Sequence, residues 1–111
     1  MQTSAVLADR FRGTVQRWTV EAGPLAGTTC DHTFHEDWSL TFRVIAGPEQ
    51  GSAGRARAFL VQPVRAQLFL VSFVADGETV TAAVDFASRR FVGFRTRDER
   101  SDAISGSVRT L

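Results

Sequence analysis

The residues able to do chemistry are few. His32 can act as a general acid or base near pH 7, because its imidazole titrates in that range. Two arginines, Arg57 and Arg95, can clamp a carboxylate, enolate or phosphate with their planar guanidinium groups. Four aromatic residues, Trp18, Trp38, Phe42 and Phe59, and with them Phe73, can line a pocket against a flat, largely apolar molecule. Each has a plainer reading as well: a hydrogen-bonded core histidine, solvated arginines, ordinary aromatic packing. Cys30, His32, His35, Glu36 and Asp37 lie close together in the chain. They do not make a metal site, since His35 falls in a turn and a closed zinc site needs four converging ligands. A buried thiol at Cys30 is expected to be inert. Lysine and tyrosine are absent, which bars Schiff-base lysine and tyrosine acid chemistry. There is no glycine-rich phosphate loop and no G-x-S-x-G elbow. No cofactor is expected.

The elements that must hold these residues are strands. Residues 61–94 read as three antiparallel strands with tight turns, and Asp76-Gly77 is a strong hairpin signal. Further strands are expected over 14–20, 28–34, 38–45, 55–62 and 103–110. That makes about eight at short, regular spacing, the pattern of a small antiparallel β-barrel. A short helix is expected over residues 1–12, with Ser4 as its N-cap. AGPEQGSAG, residues 46–54, is the longest expected loop and a candidate lid. TRDERSD, residues 96–102, reads as a solvated loop.

Turn lengths set the register, and register sets the faces. Two-residue turns at Asp76-Gly77 and Ser88-Arg89, and three-residue turns at 35–37 and 63–65, put one set of residues inward. That set is Cys30, His32, Phe34, Trp38, Phe42, Arg57, Phe59, Phe73, Phe91 and Arg95 with their alternates. A one-residue slip in a turn would reverse a strand. Ala56, Leu68, Leu70, Ala83 and Phe94 fall on the outer face, which is apolar enough to predict a homodimer. No acidic residue is expected on the inner face of these strands. An anionic or polar ligand group is therefore the expected partner of Arg57.

The chain has 111 residues, room for one domain with its own core. All 13 basic residues are arginine, and the net charge is only +1. That balance argues against nucleic acid and anionic membranes as partners. No segment approaches the length of a membrane helix. The single cysteine and the absence of a signal-like start predict a cytoplasmic protein.

Three stretches, TFHEDWSLTFRV, FLVQPVRAQLFLVSFV and ETVTAAVDFASRRFVGF, resemble the MoaF-like family across residues 25–95. These are calycin-type small barrels in the neighbourhood of lipocalins and phenolic acid decarboxylases. The resemblance implies a calycin-like barrel with a central cavity. It brings no settled reaction, and the cavity tyrosines of the decarboxylases have no counterpart here. The expected function is binding of one small organic ligand. The finer expectation is a cofactor-free lyase, isomerase or cyclase of specialised metabolism, with His32 and Arg57 catalytic. The alternatives are a carrier or sensor using the same cavity, and a protein-interaction module using the outer face.

Overall fold

The computed structural model describes residues 10–111. Eight strands follow one another round a closed antiparallel barrel: β1 (Thr14–Ala22), β2 (Thr29–Phe34), β3 (Leu40–Ala46), β4 (Ala53–Arg65), β5 (Leu68–Ala75), β6 (Glu78–Asp85), β7 (Arg90–Arg97) and β8 (Arg100–Thr110). β1 pairs with both β2 and β8, so closure leaves no free sheet edge. The all-β barrel of eight strands is the architecture expected. No helix among the described residues is long and apolar enough to cross a membrane. Residues 1–9 of the expected helix, including Ser4, lie outside the described residues. Residues 10–13 form a turn that drops Phe11 into the barrel.

The hairpin register is partly as expected and partly not. Ala75 pairs with Glu78 and Phe73 with Val80, across a turn in which Asp76 (φ 52) and Gly77 (φ 78) are both left-handed. That geometry matches the right-handed strand twist and favours glycine at its second position. Three other turns differ from the reading. The β2–β3 turn takes five residues, so Phe34 pairs with Leu40. The β6–β7 turn takes four, so Asp85 pairs with Arg90. The β4–β5 turn is Ala66-Gln67, closed by Arg65 opposite Leu68. In the first two the slip is of two residues, so every side chain keeps its face. In the third a bulge at Val64 preserves the face as well.

Arg57 requires a correction. Between Ala56, paired with Ala75, and Phe59, paired with Phe73, β4 carries one residue more than β5. This bulge breaks the alternation. Ala56 turns inward and is fully buried, whereas Arg57 is exposed. The expectation that Arg57 points inward and Ala56 outward is reversed. A second correction concerns TRDERSD. It continues β7 and β8 into a tight hairpin at Asp98-Glu99, with Arg97 opposite Arg100. Thr96 and Ser101 share a 2.8 Å hydroxyl bond across it.

The barrel interior has two unlike halves. At the end bearing the β2–β3, β4–β5 and β6–β7 turns, phenylalanines pack edge to face. Phe11 meets Phe34, Phe69 and Phe86 at centroid distances of 5.2, 5.6 and 5.4 Å, and Phe34 meets Phe59 at 5.0 Å. The opposite end is hollow.

Candidate functional site

The cavity at the hollow end encloses about 350 Å³, within the range of small-molecule sites. Its inner wall is Trp18, His32, Phe73 and Phe91, with Phe42, Val44, Val80 and Ile104 around the sides. These side chains converge because alternate residues of a barrel strand point inward. Gly54 allows the Phe42 ring its place: a Cβ there would stand 2.6 Å from that ring and 2.6 Å from the Asp76 carboxylate.

His32 sits in an aromatic box. Its ring lies 4.7 Å from Trp18 and 5.7 Å from Phe73, centroid to centroid. Burial disfavours the charged ring and holds its pKa down at about 4, against smaller raising effects from Asp31 and the Gln16 backbone. The imidazole is therefore neutral at pH 7. Its Nδ1 is buried and has no hydrogen-bond partner. That atom has almost no accessible surface, so a molecule in the cavity meets the imidazole by another edge of the ring. Thr28 lies nearer the mouth: it is buried and lines the cavity, and its Oγ1, also without a partner, is turned against Gly47. Cys30 stands between them on the same wall. Burial pushes its thiol up to about 12, which leaves it protonated and unreactive.

Trp18 is oriented from behind. Its Nε1 donates to the Gln16 Oε1 at 3.2 Å, and the Gln16 amide donates in turn to the Arg10 carbonyl at 3.3 Å. Gln16 is fully buried yet satisfied, so it positions the indole and offers the cavity nothing.

The mouth is charged. Arg95 bonds Glu49 at 3.1 Å and lies 3.6 Å from Glu78, and Arg97 reaches the same Glu78 at 3.1 Å. Asp76 joins them on the rim. This overturns the expectation of an inner face without acids. Glu78 is the residue opposite Ala75, so the two-residue turn already puts it on the inward side. Glu49 comes from the β3–β4 turn, which no strand register covers. That stretch, expected as a lid, is a bonded turn: Gly51 N–H donates to the Val44 carbonyl at 2.9 Å and Ser52 N–H to Glu49 at 3.0 Å.

Of the residues singled out from sequence, Trp18, His32, Phe42, Phe73 and Arg95 line one cavity. Trp38 and Phe59 do not. They stack on each other at 5.1 Å at the packed end, and the Trp38 carbonyl accepts from the Phe59 N–H at 2.9 Å. Their expected place in the pocket is corrected to core packing. Arg57 is on the outside of β4, away from the cavity. His35 is also remote, bonded to Thr41 at 2.9 Å. Thr28, Glu49, Asp76 and Glu78 were not singled out. Of these, only Glu78 carried a usable signal, its place in the register.

The model of the MoaF-like family matches residues 13–109. The chain belongs to the MoaF-like family. No curated protein matches significantly. Among solved structures, the chain is similar to a crystal structure from Burkholderia vietnamiensis designated a "putative beta-lactamase". The two share 22% identity over 91% of this chain and 95% of that one, with a TM-score of 0.79. At that identity the likeness shows a shared fold. Membership of the family agrees with the resemblance seen in the three hairpin stretches.

Proposed function

We propose that this MoaF-like barrel binds one small, largely apolar organic molecule in the cavity at its hollow end. The observation that carries this reading is the open cavity, walled by aromatic rings with the neutral His32 imidazole set among them. The packed end fills its interior with side chains, whereas here a ligand can lie against the rings and the imidazole. Calorimetric titration with small neutral aromatic molecules tests the reading. Val80→Phe, which puts a ring into the space, is expected to weaken binding at least tenfold and keep the β circular dichroism. Equal affinity in that variant would place the ligand elsewhere.

The finer reading is a cofactor-free lyase, isomerase or cyclase in which His32 moves a proton and confinement does the rest. An imidazole on the cavity wall favours it. The low pKa weighs on the other side, since a base of pKa about 4 has little drive to take a proton at pH 7. A carrier or sensor needs only the hydrogen bond, and the geometry supports this binding role best. Incubation with a metabolite extract separates the two. Loss of a compound with the unaltered protein, abolished by His32→Phe, identifies an enzyme; retention without turnover identifies a carrier. The "putative beta-lactamase" designation of the neighbour supplies no reaction here, because a likeness at 22% identity is one of fold alone, and this chain has no lysine for the S-x-x-K apparatus of the serine enzymes.

A homodimer is proposed through the outer face. Phe94 and Val92 stand 57% and 58% exposed beside an apolar groove lined by Ala83, Gly93 and Ala103. A ridge next to a groove is self-complementary under a two-fold axis. Sedimentation at micromolar concentration is expected to show a dimer that Phe94→Glu dissociates. A monomer throughout would remove the proposal.

A further inference from the structure

We infer that the ligand of this cavity is a neutral, hydroxylated molecule of ring size, held by its hydroxyl on the His32 imidazole, and that anions are excluded. The inference rests on the cavity being the binding site and adds the chemical class. Three features support it.

The first is the inner anchor. His32 is 6% exposed, and its neutral imidazole lines the cavity. A hydroxyl can either donate or accept, so it satisfies a neutral imidazole in either tautomer. An apolar ligand would cover the polar edge that the ring presents to the cavity, at the cost of a buried unmade hydrogen bond. The surroundings are Trp18 and Phe73 rings, so the rest of the ligand must be apolar and thin enough to lie against them.

The second is the charge at the mouth. Glu49, Asp76 and Glu78 face Arg95 and Arg97, three carboxylates against two guanidiniums. Both arginines are already committed to carboxylates of this chain. An anion would have to displace those contacts, pass the remaining carboxylates, and shed its water against an aromatic wall with a neutral imidazole. The third is Thr28. It lines the cavity nearer the mouth and brings no charge to it. The cavity thus offers neutral polar partners and no uncommitted cation.

The test compares 2-naphthol, naphthalene and 2-naphthoate by calorimetry on the full chain at pH 7. 2-Naphthol is expected to bind about tenfold tighter than naphthalene, the worth of one buried hydrogen bond that is otherwise left unmade. Naphthoate is expected to bind at least tenfold more weakly than naphthol. In His32→Phe the advantage of naphthol over naphthalene should vanish, with naphthalene still bound. Naphthoate binding tightest, or naphthalene matching naphthol in the unaltered protein, would overturn the assignment of ligand class while leaving the cavity as a binding site. Failure of all three to bind would overturn the cavity reading itself, and this inference with it. The three-probe comparison uses the unaltered chain, so it decides the matter even if His32→Phe does not fold.

Discussion

The two ends of this barrel are built by the same strands and have opposite interiors. At the packed end, Phe34, Phe69 and Phe86 close round Phe11, with Phe59 against Phe34, and Phe11 arrives from the turn before β1 and not from the sheet. Among the described residues, nothing at the hollow end plays the part of Phe11. Aromatic side chains line the wall there, yet the centre stays open, and charged residues from two turns and from the ends of β6 and β7 ring the mouth. An eight-stranded barrel is wide enough to be filled by side chains or to hold one small molecule. Here one added ring decides which half does which.

The contrast can be broken most directly by truncating one ring at each end. Phe11→Ala is expected to cost about 3–5 kcal/mol, the usual range for a fully buried phenylalanine. Phe42→Ala removes a ring that already borders open space, and about 1 kcal/mol is expected, with weaker ligand binding. Urea denaturation measures both. Equal losses would mean that the hollow end is packed as tightly as the other.

His32 gives the next largest effect. Its folded pKa of about 4 lies below the ordinary value of 6.5, so the unfolded chain binds more protons between these values. Stability from this group is therefore full above pH 6.5 and is lost as the pH falls toward 4. Between pH 7 and pH 5 the loss is about 2 kcal/mol. His32→Phe should flatten that part of the stability profile. A profile unchanged by the substitution would show that the ring is not buried as a neutral group.

The smallest effects belong to the arginines, and they sharpen the difference between rim and outer wall. Arg95→Gln should change stability by no more than about 1 kcal/mol, because the ion pairs are partly exposed. It should, however, speed amide exchange at Gly51 and Ser52, since the β3–β4 turn loses its tie through Glu49. Arg57→Ala should alter neither ligand affinity nor, beyond about 0.5 kcal/mol, stability. A large loss of binding from Arg57→Ala would restore that residue to the cavity.

Much of this was legible along the chain because alternation in a strand has a period of two. Trp18, Phe42, Phe73 and Arg95 line the cavity for that reason, and errors of two residues in the β2–β3 and β6–β7 turns left their faces intact. Arg57 was misplaced because the bulge after Ala56 adds one residue, and one residue reverses a face. No local signal in RARAF announces that bulge. Trp38 and Phe59 point into the barrel region as read, yet they lie at its packed end. Alternation reports inside or outside and says nothing about height along the axis.

By itself, then, the sequence determined the strands, the Asp76-Gly77 turn and most of the inward set, since these follow from local conformational preference and a two-residue period. Only the tertiary structure decided where the interior is full and where it is empty. That depends on which side chains from distant segments meet: Phe11 against Phe69 and Phe86, Glu49 against Arg95, and His32 left facing open space between Trp18 and Phe73. A cavity is a shortage of atoms at a place where several segments converge, and no single segment encodes it.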